Sequence, residues 1–230
     1  MSKMTKVTNC VRGLNSPLLA NLYLHYAFDK WMEEVNPGCP FERYADDIVV
    51  HCNSKEAAEQ LLEKLTERMS VFELTLHPEK TKIVYCKNYQ RPENHDNESF
   101  TFLSYSFQPR VRKDKFGRNK TFFVFSGAIS CAAKASLRTS IRSIVKWRWS
   151  DQTVEWFAEK LNPKIRGWVN YYTRFNKWQM LEVFQYLNEL LQKWMVNKYK
   201  LRSKKDMLAK YKQLQTQNKD LFYHWKLGIV

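Results

Sequence analysis

Asp46 and Asp47 stand side by side between two short β-prone runs, Phe41–Ala45 and Ile48–Cys52. Apolar and β-branched residues on both sides of an acidic pair read as a hairpin carrying both acids at its turn. Adjacent carboxylates concentrate negative charge, which is costly unless a cation neutralises it. Hard carboxylate oxygens suit Mg²⁺ or Mn²⁺. Two such ions about 3.5–4 Å apart can activate a 3′-hydroxyl and stabilise a leaving pyrophosphate during in-line displacement. The same pair also satisfies ordinary turn chemistry, because Asp side chains bond their own backbone in tight turns. The hairpin residues alone leave both readings open.

A second kind of chemistry is spread over the C-terminal half. Arg110, Arg112, Lys113, Lys115, Arg118 and Lys120 place six cations in eleven residues, opposed only by Asp114. Further on, Lys164, Arg166, Arg174 and Lys177 accompany Trp168, Tyr171 and Tyr172. The whole chain of 230 residues has a net charge of +15. That charge is divided unevenly: residues 1–109 hold 12 Lys and Arg against 15 Asp and Glu, whereas residues 110–230 hold 26 against 8. Seven of the eight tryptophans lie in the basic half. Cations neutralise phosphates and release counterions, and exposed aromatics stack on bases, so a polyanionic nucleic acid is the natural partner. The competing reading is a solvated basic face over an aromatic core. Trp168 and Tyr172, four residues apart on one helical face, are expected to pack inward and leave the cations to meet RNA.

These residues need elements to position them. Ser16-Pro17 with Leu18, Leu19, Leu22, Tyr23, Tyr26 and Ala27 predicts a helix running to about Val35 and stopping at Asn36-Pro37-Gly38. Asn53-Ser54 opens a second, amphipathic helix through Ala58, Leu61, Leu62, Leu65, Met69 and Phe72. Residues 74–76 and 81–85 read as strands, 88–99 as a polar loop, and the run with Phe100, Phe102, Tyr105 and Phe107 as β-prone. Arg110–Lys120 reads as a basic hairpin leading into Thr121–Phe125. From about Ser130 helical periodicity dominates, over roughly 130–147, 151–160, 163–175, 178–200 and 204–216. The pattern is therefore α+β up to about residue 127 and all-helical beyond it.

Composition excludes other classes. With 44% hydrophobic residues, six Gly and seven Pro, the chain can fill a core and is neither disordered nor collagen-like. No apolar run is long enough to cross a bilayer and the first residues lack the apolar stretch of a signal peptide, so a cytoplasmic protein with no membrane partner, nucleoid-associated through its charge, is expected. The five cysteines, Cys10, Cys39, Cys52, Cys86 and Cys131, are irregularly spaced, as are the five histidines. Reduced, mostly buried thiols fit better than a zinc site or a disulfide framework.

Several segments in series resemble the reverse transcriptase/maturase proteins encoded by bacterial group II introns. Tyr44-Ala45-Asp46-Asp47, within Phe41-x-Arg43 and Ile48-Val49-Val50, resembles the metal-binding palm hairpin of reverse transcriptases, and Ser16 to His25 resembles the helix before it. Leu76-x-x-x-Lys80-Thr81-Lys82 and Phe102 to Arg110 are similar to later palm segments. Pro163 to Tyr172 resembles the core of the thumb or maturase domain, and Leu221 to Gly228 the end of shorter members. The resemblance implies a partial palm over 16–109, a basic connecting hairpin over 110–126 and a helical thumb/maturase domain over 127–230, after a non-matching leader at 1–15. It implies an RNA-directed DNA polymerase (a nucleotidyltransferase) that also assists RNA splicing, with Mg²⁺ or Mn²⁺ held by Asp46 and Asp47. Its implied partner is intron RNA or a template-primer duplex. Lys80 is then a proton donor or charge stabiliser near the leaving pyrophosphate, or else an ordinary surface lysine. Arg43 faces a phosphate or forms a structural salt bridge, and Tyr44 packs beneath the hairpin.

The sequence also departs from the family. A third palm carboxylate, the preceding fingers region and a Gln-Gly-Gly-type turn are expected before Ser16-Pro17, where Val11-Arg12-Gly13-Leu14-Asn15 stands instead, and Ser104 replaces a usual Gly. Two divalent ions need a bridging carboxylate besides the hairpin pair. The expectation is an incomplete copy, inactive as a polymerase alone, that keeps RNA binding, with a separate N-terminal fragment able to complement it. A non-catalytic splicing-assistance module and a mobile-element remnant are the alternatives.

Overall fold

The computed structural model describes residues 3–4, 16–113, 121–146 and 148–228. The chain divides into two compact units, Met1–Phe102 with Gln108–Phe125, and Leu103–Phe107 with Ser126–Val230. Helical and strand content are mixed, as an α+β chain requires.

In the first unit, α1 (Ser16–Leu24) passes through a π-turn (His25–Asp29) into α2 (Lys30–Val35). The expected single helix to Val35 is present, but it is widened in the middle. Leu24, Ala27, Phe28 and Met32 are buried on one side. The wide turn loosens backbone carbonyls from their helical partners, and Arg68 supplies donors: Nε to Ala27 O at 3.1 Å and Nη2 to Tyr26 O at 3.3 Å. The hairpin of β2 (Phe41–Tyr44) and β3 (Asp47–Val50) follows, and β1 (Lys3–Met4) pairs antiparallel with β3, giving the order β1-β3-β2. Helix α3 (Lys55–Val71) starts where the Ser54 hydroxyl accepts the Ala57 N–H at 3.1 Å. Its Leu61, Leu65 and Met69 meet Phe28, Met32, Ile48 and Val50 in one apolar cluster.

The strands expected at 74–76 and 81–85 do not form. Leu74 and Leu76 lie partly buried against that cluster and Val84 is buried, so their apolar pattern reports burial rather than pairing. Tyr85 N–H donates to Asn97 O at 2.8 Å without either run taking up strand structure. A second three-stranded sheet, ordered β4 (Phe100–Phe102), β5 (Tyr105–Lys113), β6 (Thr121–Ile129), closes the β content. Cys39, Cys52 and Cys86 are half-buried free thiols, while Cys131 is exposed, contrary to its expected burial. Burial, then the neighbouring Cys39, raises the Cys52 thiol above its ordinary range.

The second unit is a helical body of α4 (Cys131–Ile144), α5 (Val154–Asn176), α6 (Leu181–Tyr199), α7 (Lys204–Gln217) and α8 (Tyr223–Lys226), with a 3₁₀ turn at Lys177–Met180. Ser130, Thr153 and Ser203 cap α4, α5 and α7 through their hydroxyls. The two helices expected at 151–160 and 163–175 are one. Pro163 sits inside α5 without ending it, because Phe157, Leu161, Ile165 and Val169 keep their apolar face in phase across it and are all buried. Asn162 beside it grips the C-terminal segment, donating to Leu221 O at 2.8 Å and accepting the Tyr223 N–H at 2.9 Å.

Candidate functional site: the acidic hairpin and the basic helix

Register fixes the acids. Tyr44 pairs with Asp47 and Arg43 with Ile48, so the two-residue turn is Ala45-Asp46 rather than Asp46-Asp47, and Asp47 is the first residue of β3. Ala45 adopts φ 53°, a left-handed conformation costly for a residue with a Cβ. Cross-strand partners share a face. Phe41, Arg43, Ile48 and Val50 therefore take the side packed on Phe28 and α3, while Glu42, Tyr44, Asp47 and Val49 take the other. Both aspartates are half-buried. Tyr44 is 65% exposed and does not pack beneath the hairpin, because the register puts it with Asp47 on the face away from Phe28 and α3.

Arg43 holds this turn. Its Nε and Nη2 donate to the two carboxylate oxygens of Asp29 at 2.7 and 2.6 Å, a bidentate pair with both side chains almost out of solvent. Its Nη1 reaches Asn21 Oδ1 at 2.9 Å and Ala45 O at 3.1 Å. His25 Nδ1 lies 3.2 Å from Asp29 Oδ2. Of the two expectations for Arg43, the structural salt bridge is the one formed, and it fastens the strained turn to the π-turn. Asp29 was not legible as a site residue: it is one acid in a helix, 14 positions from its partner. Its only local signal is His25 four residues earlier.

The residues present test the implied metal directly. Carboxylate oxygens are the right donors for Mg²⁺ or Mn²⁺, and two suffice to hold one largely hydrated ion. Two ions require a bridging ligand, yet among the described residues no group of three or more His, Cys, Asp or Glu is arranged to hold a metal. The hairpin by itself does not fit a two-ion centre.

The other predicted residues fall as follows. Lys80 is exposed, in the Pro78–Lys80 turn of the first unit. Arg110 is half-buried on β5 and Arg112 and Lys113 are exposed at its end; Lys115, Arg118 and Lys120 lie outside the described residues. Lys164, Arg166, Arg174 and Lys177 are all exposed, on α5 or the turn that follows it. Lys164 Nζ is 3.3 Å from Ser140 Oγ, Arg166 lies over the Tyr223 ring at 5.4 Å, and Lys177 over Trp178 at 5.1 Å. Trp168 and Tyr172 pack against the helical core as expected. Sequence reasoning missed Phe175 and Trp178, which are 49% and 67% exposed; their positions in phase with Tyr171 were the available signal. Among the described residues no helix is long and apolar enough to cross a membrane.

Comparison with known proteins also divides the chain in two. Residues 10–107 match the family described as reverse transcriptase (RNA-dependent DNA polymerase), and residues 134–212 match the group II intron, maturase-specific domain. The first match opens inside the segment expected as a leader. No curated protein matches the chain significantly. Reverse transcriptases use divalent metal ions held by catalytic aspartates, and the maturase domain implies binding to intron RNA. The two matches run in the family's own order and together take in most of the chain, one over the acidic hairpin and one over the basic helix. The chain belongs to the group II intron-encoded reverse transcriptase/maturase family.

Proposed function

We propose that this polypeptide works as the RNA-gripping part of a group II intron reverse transcriptase/maturase and does not polymerise DNA unaided. The observation that carries the reading is the pairing of the maturase match over 134–212 with a carboxylate-free basic stretch: from Lys160 to Leu181 there are five Lys and Arg and no Asp or Glu. Lys164, Arg166, Arg174 and Lys177 contact intron RNA through its phosphates, and Arg110, Arg112, Lys113, Lys115, Arg118 and Lys120 contact a template duplex in the same sequence-independent way. Asp46 and Asp47 are the metal-facing carboxylates and Lys80 the accompanying general acid. A further carboxylate comes from a separate polypeptide, a reverse transcriptase N-terminal fragment. The exposed apolar row of Leu18 and Leu22 on α1 and Tyr26 on the π-turn gives such a fragment a surface to cover.

Primer extension on an RNA template with Mg²⁺ tests the polymerase half of the reading. No extension is expected from the chain alone, and robust extension that Asp46→Ala abolishes would sink it. RNA binding titrated against salt tests the other half. A steep dependence, reduced by about one unit of slope per Lys or Arg neutralised in 164–177, is expected; a flat dependence rejects phosphate contact.

A further inference from the structure

One side of α5 carries more than charge. At about 100° per residue, Lys164, Gly167, Tyr171, Arg174 and Phe175 fall on a continuous stripe beside the buried face; Trp178 follows on the 3₁₀ turn, beyond the extended backbone of Asn176 that ends the helical phase. Its three aromatics are 45%, 49% and 67% exposed. They are nevertheless held in place. The Tyr171 hydroxyl donates to Leu103 O at 2.9 Å, Phe175 packs edge-on against Tyr105 and Phe107, and Lys177 Nζ lies over the Trp178 ring at 5.1 Å. Successive rings at i and i+4 rise about 6 Å along the axis. Exposed rings in succession, ordered without being covered, form a platform rather than a core.

Gly167 is the second observation. It lies mid-helix, where Gly costs about 1 kcal/mol relative to Ala, and a Cβ built on it would meet nothing within 4 Å. The fold does not ask for glycine there. A ligand backbone that must approach α5 closely does. Charge sets what that ligand is. The next acid along the chain after α5, Glu182 on α6, is engaged by Lys134 at 2.8 Å and Arg138 at 3.9 Å, and the stripe's own charged residues, Lys164 and Arg174, are cations.

We infer that the stripe is a stacking platform for unpaired nucleotides, with Tyr171, Phe175 and Trp178 taking bases, Arg174 and Lys177 taking the phosphates between them, and Gly167 leaving room for the strand. This rests on the reading that the helical half binds RNA, and sharpens it to single-stranded segments. Base-on-aromatic contact is sequence-tolerant and insensitive to salt, unlike phosphate contact.

The test uses the full chain and labelled 12-nucleotide oligouridine, the same strand with abasic sites at its centre, and an RNA hairpin duplex. Trp178→Ala is expected to weaken oligouridine at least about fivefold while leaving the salt slope, the abasic strand and the duplex unchanged. Gly167→Ala is expected to raise the melting temperature while weakening oligouridine, a divergence that a purely structural role cannot produce. If Trp178→Ala binds oligouridine as wild type does, or loses duplex binding equally, the platform is wrong although RNA binding stands. If the wild-type chain binds none of the three RNAs, the underlying reading falls with it.

Discussion

In the first unit, β3 is buried through Ile48 and Val50, but the turn that carries the acids is fastened by a polar clamp, Arg43 bridging Asp29, Asn21 and Ala45 O. In the second, the element that carries the cations is fastened by apolar burial along its length: Phe157, Leu161 and Ile165 of α5 lose all their accessible surface, as do Val183, Phe184 and Leu187 of α6. Each such side chain contributes about 1.5–3 kcal/mol. A buried ion pair contributes geometry more reliably than net stability, since desolvation offsets much of its attraction. Apolar burial thus suits a helix that presents a broad cationic face, and a directional clamp suits a turn that fixes the positions of two carboxylates.

Truncation in the helical core should be the most damaging change. Phe184→Ala is expected to cost about 3–5 kcal/mol, read as a lowered denaturant midpoint together with loss of RNA binding. Asp29→Ala strands the Arg43 guanidinium in a nearly dry site and is expected to cost about 2–3 kcal/mol. Hydrogen exchange should show that cost in residues 16–72 and leave the α5–α6 amides untouched; equal deprotection of both regions would erase the contrast. Neutral His224 supplies a pH-dependent version of core dependence. It is fully buried, stacks on Phe184 and faces Asn188 Oδ1 at 2.8 Å, and desolvation pushes it down from 6.5 to about 3. Below about pH 6.5 the unfolded chain takes up a proton that the folded chain refuses. Stability is then complete above pH 6.5 and falls toward pH 3 by up to about 1.4 kcal/mol per unit. Denaturant melts at pH 7 and pH 5 measure it. The smallest effect is Ala45→Gly, which relieves the left-handed strain and should stabilise the hairpin by less than about 1 kcal/mol.

What the sequence made legible follows one physical rule. Periodic burial showed through, so α3, α4 and α7 lie near their expected limits and Asp46-Asp47 sit at a hairpin end. Features set by distant partners did not. The turn moved back one residue because Tyr44 pairs with Asp47. Pro163 failed to break α5 because the apolar phase continued on both sides of it. The apolar alternation of 74–85 was mistaken for strands because burial against a cluster and pairing in a sheet leave the same short pattern. The Arg43–Asp29 clamp joins residues that are neighbours only once the π-turn exists.

That turn also decides where the segment tolerates a change of length. His25–Asp29 is one residue richer than an ordinary helical turn, and removing Tyr26, Ala27 or Phe28 would restore a regular helix. The extra residue adds no net rotation, so α1 and α2 would keep their phase about the axis, and Asn21 and Asp29 could both still meet Arg43. A deletion within regular α1, at 22–24, would instead turn Asn21 by about 100° relative to Asp29. Single-residue deletions at 22–24 should therefore loosen the hairpin clamp far more than a deletion of the exposed Tyr26, while composition, charge and helical content hardly change in either case.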